Sequence, residues 1–100
     1  MNLDRPATTK SVNDALQGAG FHPDDLEFVR GKGYCYVYGS LVEDFDEQDL
    51  YGPAAVCRLT TRQWLSRVVT KFNIELDRMI PEDRGDRPAR IATLARFIGR

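Results

Sequence analysis

Apolar residues repeat along the chain in two different rhythms. Val12, Ala15, Leu16 and Ala19 fall on one helical stripe. Ser11 is placed to cap that helix, with Asp14 three residues on adding a favourable charge near its N-terminus. Gly20 supplies a left-handed stop, Phe21 the apolar contact beyond it, and Pro23 prevents the helix from resuming. Trp64, Leu65, Val68, Val69, Phe72 and Leu76 make a broader stripe, wide enough to cover one face of a sheet. Thr60-Thr61-Arg62-Gln63 ahead of it is a capping box, and Pro81 closes it. Pro88 opens a last helix with its own stripe of Ile91, Leu94, Ala95 and Ile98.

Between the first two helices the period drops to two. Leu26 to Arg30 reads as a strand, Gly31-Lys32-Gly33 as a tight reversal, and Tyr34 to Val42 as a second strand with Gly39 as a bulge or close backbone approach. An acidic stretch from Glu43 to Leu50 interrupts the alternation. Gly52-Pro53 then reads as a turn and Ala54 to Leu59 as a third strand. The expected fold class is α+β: a helix, a three-stranded antiparallel meander, a long amphipathic helix and a short C-terminal helix.

A chain of 100 residues fits one small domain. Residues 1–8 read as a flexible arm, and 82–87, with Gly85 as pivot, as a hinge before the last helix. A hydrophobic content of 42% with 29% charged residues argues against disorder. The formal net charge of -1 removes any global attraction for nucleic acid. No apolar run approaches a membrane span and no signal peptide is evident, so a cytoplasmic location is the default, with Cys35 and Cys57 as reduced, buried thiols and a disulfide between them as the lesser alternative.

The chemistry-bearing residues are few. Two cysteines and the lone His22 cannot form a four-ligand zinc site, no nucleophile signature accompanies His22, and the glycines around Lys32 lack the spacing of a phosphate loop. Asp44 and Asp46 have the spacing of a calcium loop, but Asp49 and Ala55 occupy its glycine and glutamate positions. These exclusions point to a non-enzymatic protein without cofactor or metal. Two candidate contact surfaces remain. Tyr34, Tyr36 and Tyr38 share one strand face beside Lys32 and are free for contact if Cys35 and Val37 point inward. Asp44, Asp46 and Glu47 read as a solvated loop or, more sharply, as an acidic knob with Phe45, Leu50 and Tyr51 as apolar anchors, suited to a basic partner. Arg90, Arg96 and their neighbours read as the solvated outer face of the last helix.

Lys32-Gly33-Tyr34-Cys35-Tyr36-Val37 resembles the aromatic signature of RNA-recognition motifs, which implies base stacking on Tyr34 and Tyr36. Cys35 and Gly39 depart from that signature, and the helix-first order departs from that fold. A second resemblance covers Ser11 to Val68. Ala19-Gly20-Phe21, then Gly31 to Val37, Val56-Cys57-Arg58-Leu59 and Gln63-Trp64-Leu65 are similar to small uncharacterised proteins of bacterial phages and mobile elements. That resemblance implies an interaction module that binds a host macromolecule. Inhibition of CRISPR–Cas complexes is one such role by analogy. A protein partner is favoured over nucleic acid, single-stranded nucleic-acid binding through the tyrosine face is the alternative, and self-association as a homodimer is expected through open sheet edges.

Overall fold

The computed structural model describes residues 2–45, 51–53 (backbone only) and 58–99, and it is α+β. The elements are α1 (Thr9–Gly18), β1 (Glu27–Gly31), β2 (Tyr34–Tyr38), β3 (Tyr51–Pro53), α2 (Thr61–Arg78) and α3 (Arg87–Ile98). Short 3-10 turns at Ser40–Val42 and Pro81–Asp83 join them.

The first helix starts earlier than Ser11. Thr8 is its N-cap and Ser11 the third residue of a reciprocal capping box, because the Thr8 hydroxyl accepts from the Ser11 amide while Ser11 Oγ accepts from the Thr8 amide. Its end is the glycine stop read from the sequence. Gly20 has φ 95°, its N–H reaches Gln17 O, and Phe21 N–H reaches Leu16 O.

The sheet is built on an antiparallel hairpin in which Glu27 faces Tyr38 and Gly31 faces Tyr34. Lys32 and Gly33 make its two-residue turn, with the positive φ confined to Gly33. The second strand stops at Tyr38, four residues before the end expected for it. Gly39 turns away at φ 143°, pressed so close to the Asp25 carbonyl that a Cβ would collide with it. Among the described residues the third strand expected over Ala54–Leu59 is not found. Residues 54–57 lie outside the described residues, and Leu59 to Thr60 already bends into α2. A three-residue pairing falls instead on Tyr51–Pro53, where a turn was expected, and sets Tyr51 opposite Tyr36.

The core lies between the sheet and the helices. Phe28 meets Trp64 edge-on at 5.3 Å between ring centroids, and Phe45 meets Phe72 the same way at 4.8 Å. Cys35 and Val37 point into this layer and are buried. Cys35 is disulfide-bonded, and Cys57 is the one other cysteine in the sequence. The expectation of reduced thiols is therefore corrected: it rested on compartment alone, and a compartment argument says nothing about which cysteines the fold brings together.

The N-terminal segment is not a loose arm. Leu3 and Ala7 are buried, Thr61 and Arg62 donate their amides to Arg5 O and Leu3 O, and Ala7 N–H donates to Leu59 O. Carbonyls of this segment thereby satisfy amides in the first turn of α2. The first turns of α1 and α2 also meet directly, where Ser11 Oγ and the fully buried Thr61 Oγ1 share a 2.8 Å hydrogen bond.

Candidate interaction surface

Strand alternation fixes the two faces of the hairpin. With Phe28, Cys35 and Val37 turned to the core, Glu27, Val29, Tyr34, Tyr36 and Tyr38 are left on the other side. Tyr34 is 41% and Tyr38 46% exposed, and Tyr36 is half-buried between them. Their rings form a ladder along the strand. Tyr34 and Tyr36 stack at 5.7 Å and 20° between planes, and Tyr36 and Tyr38 lie 5.9 Å apart at 41°. Tyr34 also lies across Gly31, so that a Cβ at Gly31 would collide with the hydroxyl end of its ring. The glycine in the turn thus has a second use beyond chain reversal: it gives the first phenol somewhere to lie flat.

The ladder ends differently at its two extremities. Lys32 is exposed at the hairpin turn, about a strand length from Tyr38. Beyond Tyr38 the surface opens into a groove of about 460 Å³ whose walls include Asp24, Glu27, Tyr38 and Glu43, with the half-buried Pro23 contributing apolar surface. The Tyr38 hydroxyl donates to Glu27 Oε2 at 3.2 Å, and this bond to a carboxylate raises the phenol's pKa above its ordinary 10.0. Asp24 and Glu27 were missed when the acidic residues were read as one run after position 42. The signal was present in the alternation, since Phe28 facing inward puts Glu27 outward, opposite Tyr38.

The acidic knob is only partly placed. Asp46 and Glu47 lie outside the described residues. Asp44 is exposed, 3.7 Å from Arg87 Nη2. Phe45 is buried, not an exposed anchor, and the Arg87 guanidinium lies 5.8 Å from its ring centroid. Its burial follows from the helix stripe: Phe72 needs an aromatic partner beyond the end of β2, and the 3-10 turn delivers Phe45 to it.

Arg96 is exposed on α3 as expected, but Arg90 and its neighbours Arg84 and Arg87 are not a solvated face. Arg84 donates to Leu76 O and Met79 O, Arg87 to Leu41 O and Asp83 O, and Arg90 to Gly20 O and Asp25 Oδ2. The Arg90 hydrogen bond lowers the Asp25 carboxyl below its ordinary 3.8. Arg87 and Arg90 tie the last helix to the loops after β2 and before β1, and Arg84 holds the end of α2, which are structural tasks.

His22 is exposed, and its Nδ1 accepts the Asp24 amide in a local turn. Among the described residues no group of three His, Cys, Asp or Glu side chains is placed to hold a metal ion, and no helix is long and apolar enough to cross a membrane. No family model matches the chain, and neither a curated protein nor a solved structure matches it significantly.

Proposed function

We propose that this protein is a non-enzymatic interaction module that docks a protein partner on the tyrosine face of its hairpin. The supporting observation is the ladder itself: three phenols in register on the side of the sheet away from α2, two of them more than two-fifths exposed. Tyrosine combines a large apolar face with a hydroxyl and few rotatable bonds, which is why it is enriched where proteins meet. The strand is held rigid from behind by Phe28, Cys35 and Val37, so little ordering cost accompanies binding.

Base stacking is the weaker reading. A stacked base needs a free ring face, and Tyr34 and Tyr36 already stack on each other. The carboxylates of Asp24, Glu27 and Glu43 beyond Tyr38 oppose a phosphate backbone. The phage-type setting, a host target and an inhibitory role such as CRISPR–Cas inhibition rest on sequence resemblance alone. The Cys35 disulfide speaks against a persistently reducing cytoplasm.

Affinity capture from a bacterial lysate, run with the wild type and with a Tyr34→Ser/Tyr38→Ser variant, tests the reading. A protein retained by the first and lost by the second is the expected result. Equal retention by both moves the contact elsewhere on the molecule. A salt-sensitive shift of a labelled single strand, lost in the variant, would replace the protein reading by the nucleic-acid one.

A further inference from the structure

We infer that the groove at the Tyr38 end of the ladder receives an arginine side chain from an extended basic segment of the partner; this rests on the docking reading above and adds the chemistry of what docks. The inference starts from a charge imbalance. The three arginines around the last helix are committed elsewhere: Arg90 to Asp25 and Gly20 O, Arg87 to Asp44 and two carbonyls, Arg84 to carbonyls at the end of α2. Asp24, Glu27 and Glu43 share the groove, and no lysine or arginine stands among its described lining residues. Glu27 holds the Tyr38 hydroxyl, and Asp24 lies 3.5 Å from the exposed His22. A partner approaching the exposed ladder therefore meets a concave, negatively charged end, and the complementary group is a cation.

The shape of the groove narrows the choice of cation. A bare metal ion needs converging ligands, and no group of three such side chains converges among the described residues. The groove offers a carboxylate rim, one phenol wall and apolar surface from the half-buried Pro23. A long side chain with an apolar stem and a charged head matches that sequence of surfaces. Between the two basic side chains, the planar guanidinium bonds a carboxylate in a fork and stacks on an aromatic ring, whereas an ammonium does neither as well. The straight run of three phenols leading to the groove suits an extended segment whose alternate side chains face the sheet.

The test uses fluorescein-labelled extended peptides with arginine at every second position, and matched peptides carrying lysine or the uncharged isostere citrulline. Binding is followed by fluorescence polarisation at low and moderate salt. The expected order is arginine, then lysine, then citrulline. A Glu27→Gln/Glu43→Gln variant with an unchanged urea midpoint should bind the arginine peptide about tenfold more weakly and with a flatter salt dependence. Tyr38→Leu should erase the preference for arginine over lysine. Equal binding of the arginine and citrulline peptides, undiminished binding by the double variant, or no binding of any peptide would overturn the inference. Loss confined to a Tyr34→Ser/Tyr36→Ser variant would leave the docking face standing and remove arginine from the groove. A two-chain mass in sedimentation, abolished by the double variant, would make a second copy the occupant and also overturn it.

Discussion

The two faces of β2 are written by one alternation of residues, and they serve opposite ends. On one side Cys35 and Val37 are buried against the helices, with Cys35 further fixed by a disulfide. On the other, Tyr34 and Tyr38 keep much of their surface in water. Both sets are good strand formers, so propensity alone cannot tell them apart. The difference is imposed from outside the strand. Small inward residues let α2 bring Trp64 against Phe28 and Phe72 against Phe45, and the larger phenols are left to the far side.

The contrast can be broken at several points. The largest effect is expected for Trp64→Ala, which should lower unfolding free energy by about 3–5 kcal/mol in urea titration. Trp64→Phe should lose less than about 1.5 kcal/mol, because the indole Nε1 is already buried without an acceptor and its removal abandons no bond. Equal losses in the two variants would mean that the ring's edge contact with Phe28 is not what holds the inner face.

Next in size is the inner-face disulfide. Cys35→Ser should cost about 2–4 kcal/mol, and treatment of the wild type with reductant should cost the same. A midpoint indifferent to reductant would detach the inner face from that crosslink.

On the outer face the effects are smaller and of another kind. Gly31→Ala should displace the Tyr34 ring at a cost of about 0.5–1.5 kcal/mol, the price of an unfavourable rotamer. Its more telling sign would be a changed near-ultraviolet tyrosine spectrum with the far-ultraviolet spectrum intact. Smallest is the pH response of Tyr38. Its folded pKa is raised by the Glu27 carboxylate, so its contribution to stability is complete below 10.0 and is lost as pH rises through the folded value. Ultraviolet titration should find a phenol that ionises above 10.0, and Glu27→Gln should bring its ionisation down toward that value.

Much of the architecture was legible in the order of residues. The Thr60–Gln63 box, the Gly20 stop and the Trp64–Leu76 stripe are local signals, settled by neighbours within a turn or two, and the structure carries each of them. Features settled by distant partners were read less well. Nothing near Phe45 announces Phe72 as its partner, and nothing near Arg84, Arg87 or Arg90 announces the carbonyls that hold them. The second strand was carried too far because the cause of its end, the Asp25 carbonyl crowding Gly39, is fourteen residues earlier in the chain. The tyrosine face was visible from alternation. The groove beyond it was not, because it joins Asp24 and Glu27 to Glu43 across the hairpin.

The open edge of β1 was expected to invite pairing between chains. At Phe28 it is occupied from within, since the Asn13 amide donates to Phe28 O and accepts from Phe28 N–H at 3.0 and 2.8 Å. A second strand adding there would have to expel a side chain that already imitates one.

Arg84 has a further bearing on how the molecule is divided. Its guanidinium gathers the Leu76 and Met79 carbonyls, so the end of α2 is capped by a residue beyond its own last turn. The segment from 82 to 87 is thus less a pivot than a clasp. A chain cut before it would leave the end of the long helix frayed, and a protease that trimmed the last helix would weaken the preceding one at the same stroke.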